Sequence, residues 1–150
     1  MKNVLIAVDY AEASQRVVAE GYAFAKALQA NVTLLHVITD SNYYTLPVMG
    51  SEGYYYDYYD MSDTREKLIA SSNKFLNKIK NLMHDENIKI LVEEGDTADT
   101  IIDISKKINA DVIILGSHSR SWLDNIIMGS VTNKVIKHSK IPLYIIPIKK

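Results

Sequence analysis

Asp111-Val112-Ile113-Ile114-Leu115-Gly116-Ser117-His118-Ser119, with Gly129-Ser130 following after nine further residues, is the stretch whose reading decides the fold. An apolar run that ends in small residues reads as a buried strand, and a Gly-Ser pair opening the next helical stretch completes a strand, loop and helix. Such a unit suits a phosphate for a physical reason. The first turn of a helix carries unpaired N–H groups and the positive end of the dipole, while glycine removes the side chain that would keep an anion away. Ser130 and Thr132 bring hydroxyl donors, and Gly116 permits close approach at the end of its strand. The same spacing also fits ordinary turn formation, so the rest of the chain has to decide.

Outward from this stretch, short β-branched runs alternate with longer stretches of helical period, the pattern of βαβ units and a parallel sheet. Strands are expected at residues 3–8, 31–37, 88–92, 112–115 and 142–147, and helices at 11–29, 62–85, 96–108 and 130–138. Val17, Val18, Tyr22, Phe24, Ala25 and Leu28 form the apolar stripe of the first helix, and Leu68, Phe75, Leu76, Ile79, Leu82 and Met83 that of the second. In the third helix Ile101, Ile102, Ile104 and Ile108 supply the buried side, with Asp96 as N-cap and Asp99 in the first turn. Continuous apolar strands such as Val4-Leu5-Ile6-Ala7-Val8 belong in a sheet covered on both faces. Ligands in such sheets bind beyond the carboxyl ends of the strands, where the winding direction reverses, so Asp9, Val37 and Gly116 converge on one candidate site.

With 150 residues, 47% of them hydrophobic, the chain has enough material for one well-buried core and is short for two, so residues 1–150 read as a single domain. Seventeen basic and 18 acidic residues give a formal charge of −1 without long runs of one sign, which argues against nucleic-acid or anionic-membrane partners. The absence of cysteine excludes disulfides, thiolate metal sites and thiol redox chemistry. Apolar runs too short to span a bilayer and an N-terminus that starts directly into a strand make the cytoplasm the expected compartment. His36, His84, His118 and His138 have no short metal-ligand spacing, and Glu93-Glu94 with Asp96 reads as a solvated edge, so neither a metal site nor a catalytic set is expected.

The chain resembles the universal stress proteins over nearly its full length. The resemblance rests on Val4-Leu5-Ile6-Ala7-Val8-Asp9, Leu34-Leu35-His36-Val37, Gly95-Asp96-Thr97-Ala98, and Ala110 through His118. It continues in Met128-Gly129-Ser130-Val131-Thr132 with Lys134-Val135, and in Ile141-Pro142-Leu143. It implies an α/β fold of the Rossmann-like, adenine nucleotide alpha hydrolase type, with five parallel strands in the order 3-2-1-4-5 and helices on both faces. It also implies a homodimer paired through the C-terminal strand, here 141–148. Members that bind ATP carry glycine, two residues, glycine, nine residues, glycine, then serine or threonine. This chain supplies Gly116, Ser119, Gly129 and Ser130, with serine where the middle glycine belongs.

By resemblance, Asp9 meets the ribose, the Val37 backbone faces the adenine edge, and Ala7 and Val8 line the same wall. Leu115, Gly116, His118, Ser119, Gly129, Ser130, Val131 and Thr132 then surround the phosphates of ATP, with or without Mg2+. Asp9 also suits a helix cap, and the two roles are compatible. A serine at a position requiring positive φ costs about 1–2 kcal/mol and crowds the ligand, although its hydroxyl can itself meet a phosphate. Two function classes therefore stand side by side. One is an ATP-binding, dimeric stress-response or signalling protein with at most slow hydrolysis; the other is an interaction module that binds no nucleotide. The second would act through the dimer surface and the loop at about 40–60, where Tyr43, Tyr44, Tyr54, Tyr55, Tyr56, Tyr58 and Tyr59 cluster.

Overall fold

The computed structural model describes residues 2–10, 14–39, 48–50, 53–55, 61–118 and 129–148, with the backbone alone at 48–50, 53–55, 61–64 and 118. The elements run β1 Asn3–Ala7, α1 Ser14–Ala27, β2 Asn31–Ile38, β3 Val48–Gly50, β4 Gly53–Tyr55 and α2 Met61–Leu82. They continue with β5 Lys89–Glu94, α3 Thr97–Lys107, β6 Val112–His118, α4 Ser130–His138 and β7 Leu143–Ile148. Five strands form one parallel sheet in the order β5-β2-β1-β6-β7. This is the expected 3-2-1-4-5 order, counted over the strands of the main sheet.

Two expectations need correction. The segment at 40–60, read as loop, contains β3 and β4, which pair antiparallel with Gly50 opposite Gly53 and form a separate small sheet. The β-forming pairs Val48-Met49 and Tyr54-Tyr55, each next to a glycine, carry that pairing. The other Tyr-rich positions, Tyr43, Tyr44, Tyr56, Tyr58 and Tyr59, lie outside the described residues. The strand expected at 112–115 runs on to His118, so Gly116 lies within β6, opposite Ile146, rather than in a turn after it. The parallel partner β7 extends this far and draws Gly116, Ser117 and His118 into the ladder.

Alternation along the central strands explains why they read as continuous apolar runs. Val4, Ile6, Leu34, Val112 and Ile114 face α1 and α2, packing with Val17, Val18, Leu76 and Ile79. Leu5, Leu35, Val37, Ile113 and Leu115 face the other way, onto Ile101, Ile102 and Ile104 of α3 and Val135 of α4. Each face thus buries every second residue, and the sheet is covered on both sides. At Gly21 an added Cβ would sit 3.0 Å from Ile6 Cδ1, so this glycine lets α1 lie close to the sheet. At the amino edge, the Asp111 carboxylate accepts from the backbone N–H groups of Lys2 and Asn3 at 2.6 and 2.9 Å, fastening β6 to β1 in register. Helices α1 and α3 close with paired bonds, Ala30 to Ala25 and Ala110 to Ser105, that place Gln29 and Asn109 in left-handed conformation. The carboxyl ends of β1, β2 and β6 lie together at the opposite edge.

Candidate functional site

A cavity of about 510 Å3 occupies that edge. Ala7, Val8, Asp9 and Tyr10 enter it from β1 and the turn beyond; Leu35, His36 and Val37 from β2; Leu115 and Gly116 from β6; and Gly129, Ser130, Val131 and Thr132 from α4. Among the sequence-predicted site residues, these include Ala7, Val8, Asp9, Val37, Leu115, Gly116 and the four of α4. The backbone of His118 ends β6 opposite Ile148, while its side chain and all of Ser119 lie outside what the structure describes.

The α4 end of the cavity has the construction an anion requires. Gly129 is the N-cap and makes no side-chain cap bond, so the first N–H groups of α4 gain no cap from it. An ideal Cβ built on Gly129 would meet none of the described residues within 4 Å. Its φ of −54° is open to any residue, so among the described residues neither packing nor backbone geometry demands glycine here. Gly116 is different. A Cβ there would lie 2.4 Å from Ile148 Cδ1 and 2.8 Å from Val17 Cγ2, so this glycine is needed for the packing of β6 against α1 and β7. The expected hydroxyl of Thr132 is also engaged, since Thr132 Oγ1 donates to the Gly116 carbonyl at 3.2 Å and ties α4 to the end of β6. Ser130, exposed on the first turn, keeps the outward position.

At the opposite end, the Asp9 carboxylate accepts a hydrogen bond from Ser14 Oγ at the start of α1. It faces the cavity as well, so the helix-facing and cavity-facing roles coincide. Beside it, His36 is buried, with Nδ1 2.8 Å from the Val8 carbonyl oxygen. A carbonyl only accepts, so Nδ1 carries the proton and Nε2 is a bare acceptor, without a hydrogen-bond partner among the described residues. Burial holds the His36 pKa below the ordinary histidine range, against the opposing pull of the Val8 bond and the Asp9 charge. Tyr10 packs edge-on against the imidazole, with ring centroids 4.4 Å apart, and its hydroxyl is 2.7 Å from Ser72 Oγ.

A second lobe of about 420 Å3 shares Thr39, Thr97, Ser130 and Val131 with the first and reaches Gly95, Asp96, Ala98 and Lys134. Asp96 caps α3 as expected, accepting from the Asp99 N–H at 3.0 Å. Lys134, one turn beyond Ser130, donates to Asp96 Oδ1 at 3.1 Å and Asp99 Oδ2 at 2.8 Å, joining α4 to α3. The sequence reading missed Tyr10, His36, Thr39, Thr97 and Lys134 as lining residues. Thr39 and Thr97 were within its reach, because Thr39 directly follows β2 and Thr97 opens α3 three positions after the end of β5. Lys134 was not, because its approach to α3 depends on how two helices pack.

This geometry prompts comparison with known proteins. The profile of the Universal stress protein family matches residues 1–147. The chain belongs to the universal stress protein family. Universal stress protein MJ0531 of Methanocaldococcus jannaschii is 27% identical over 147 residues, spanning 97% of this chain and 81% of that relative. The solved structure of MJ0577, from the same organism, superposes with a TM-score of 0.75 at 26% identity, covering 99% of this chain and 97% of that one. A universal stress protein solved in complex with cAMP superposes at 0.65 and 16% identity over 97% of this chain and 95% of its own, a likeness of fold. Some members of the universal stress protein family thus hold nucleotides. No helix among the described residues of this universal stress protein is long and apolar enough to cross a membrane.

Proposed function

We propose that this universal stress protein binds an adenine nucleotide, ATP with or without Mg2+, in the 510 Å3 cavity. It would act as a cytoplasmic homodimer in stress response or signalling. The observation that carries the reading is Gly129, which sets no Cβ before the first N–H groups of α4 and which, among the described residues, neither packing nor φ demands. Phosphates rest there, against residues 129–132. Asp9 takes the ribose hydroxyls, and the Val37 backbone with Ala7 and Val8 forms the adenine wall. An adenine stacked on this wall meets apolar surface of the kind that supplies most small-ligand affinity.

The described lining offers little to activate a water. Burial lowers the pKa of His36 and makes it a weak base, and Asp9 already accepts from Ser14. Hydrolysis is therefore slow, below about one turnover per second, an ordinary low enzyme rate. Ser119 favours a second reading, because it stands where ATP-binding relatives carry glycine. Under that reading the protein is an interaction module using the Tyr-rich segment and the dimer surface.

Thermal unfolding tests the choice. ATP with Mg2+ at about a hundredfold excess over Kd adds about 2.7 kcal/mol to the stability of a protein that binds it only when folded. The expected result is a Tm rise in the wild type that Gly129→Val loses, its ligand-free Tm falling by no more than a few degrees because valine is a poorer N-cap than glycine. A Tm indifferent to ATP in the wild type supports the second reading.

A further inference from the structure

The charge around the cavity sets a problem that the nucleotide reading must solve. Among the described residues lining either lobe, Lys134 is the one lysine or arginine, while Asp9 and Asp96 are both lining carboxylates. A triphosphate whose first phosphate rests at Gly129 and Ser130 extends into the space shared with the second lobe, toward the amino end of α3. There Asp96 and Asp99 sit three residues apart, both within reach of the Lys134 ammonium. Left to themselves, two carboxylates would repel each added phosphate.

Resting on the nucleotide reading above, we infer that Lys134 sets how many phosphates the site accepts, by offsetting one of the two negative charges of Asp96 and Asp99 at the wall of the second lobe. Its placement fits this role better than a structural one. The side chains of Lys134, Asp96 and Asp99 are 40%, 57% and 60% exposed, and ion pairs so exposed contribute little to folding. An anion in the adjoining lobe nonetheless meets their field, because Lys134 and Asp96 line that lobe and charges at contact distance are little screened by physiological salt. Lys134 shares a helix face with Ser130, so the compensating charge is fixed to the same element that presents the phosphate-facing N–H groups. AMP, whose phosphate stops at Gly129, depends little on this compensation; ATP depends on it strongly.

The test is a comparison of AMP and ATP affinities by calorimetric titration, for the wild type, Lys134→Gln, and Lys134→Gln combined with Asp96→Asn and Asp99→Asn. Asparagine retains the capping function of Asp96, and matching circular dichroism with cooperative thermal unfolding establishes that all three proteins fold alike. Lys134→Gln is expected to weaken ATP about tenfold and AMP by less than about twofold, with the triple variant recovering the ATP affinity. Equal weakening of both nucleotides, no weakening, or a loss of ATP that the triple variant does not recover overturns the role given to Lys134 and leaves the nucleotide reading intact. A wild type that binds neither AMP nor ATP overturns both.

Discussion

Two glycines of the ATP-binding pattern do different work, and substitution separates them. Gly116→Ala drives a Cβ into Ile148 and Val17, and it is expected to cost about 1–3 kcal/mol in denaturant unfolding with no ligand present. Gly129→Ala meets no described neighbour and costs at most about 1 kcal/mol of ligand-free stability, the share of a poorer N-cap, while weakening any anion bound before α4. Equal losses of stability in the two variants would contradict this division. His36 carries a pH prediction. An unfolded histidine takes up a proton near pH 6.5, whereas buried His36 resists it. The unfolded chain therefore binds more protons just below that pH, and stability falls as pH drops from about 7 to 5. His36→Gln should flatten the slope, and identical slopes in the two proteins would show that His36 does not titrate on unfolding. Residue types and spacing were enough to nominate Gly129, Asp9 and Val37. The packing role of Gly116 and the committed proton of Thr132 depend on neighbours 30 or more positions away, or on another element, and no local pattern records them.

The helices that meet at the site are fixed by their first turns. Asp96 caps α3 and receives Lys134 from α4, and these contacts hold its carboxyl below the usual carboxylate range, the Asp99 N–H bond first and Lys134 second. Asp96→Ala is expected to lower Tm by a few degrees and Asp96→Asn by less, since asparagine keeps the cap and loses only the charge. If the two lower Tm equally, the cap contributes nothing beyond the ion pair. At this scale the sequence was most legible where one signal dominates. The Asp96 cap and the helix at 130–138 were read with their observed starts, because capping chemistry and helical period agree there. The strand at 112–115 was read too short, since Gly116 and Ser117 are poor strand formers that extend β6 only because β7 lies alongside. The hairpin of β3 and β4 was read as loop because each strand is three residues long, too short for periodicity to register.

For the whole molecule, the order of the main sheet was legible because alternating strand and helix signals leave few arrangements once crossovers are right-handed, and the family resemblance selects among these. The same order makes β7 an outermost strand, hydrogen-bonded to β6 on one side. Tyr144 on it is 38% exposed and stacks on Phe24. An apolar edge of this kind is a pairing surface, and the proposed homodimer through residues 141–148 would cover it. Light scattering at micromolar concentration should give twice the chain mass, and a Tyr144→Lys variant should shift it toward the monomer. A wild-type monomer would remove this part of the proposal. The central claim is that the cavity beyond β1 and β6 takes an adenine nucleotide. The measurement that tests it most directly is calorimetric titration of the wild type with ATP and Mg2+, after mass spectrometry has established that no nucleotide accompanies the purified protein. One site per chain with micromolar Kd is predicted, and the absence of both heat and co-purified nucleotide would contradict it.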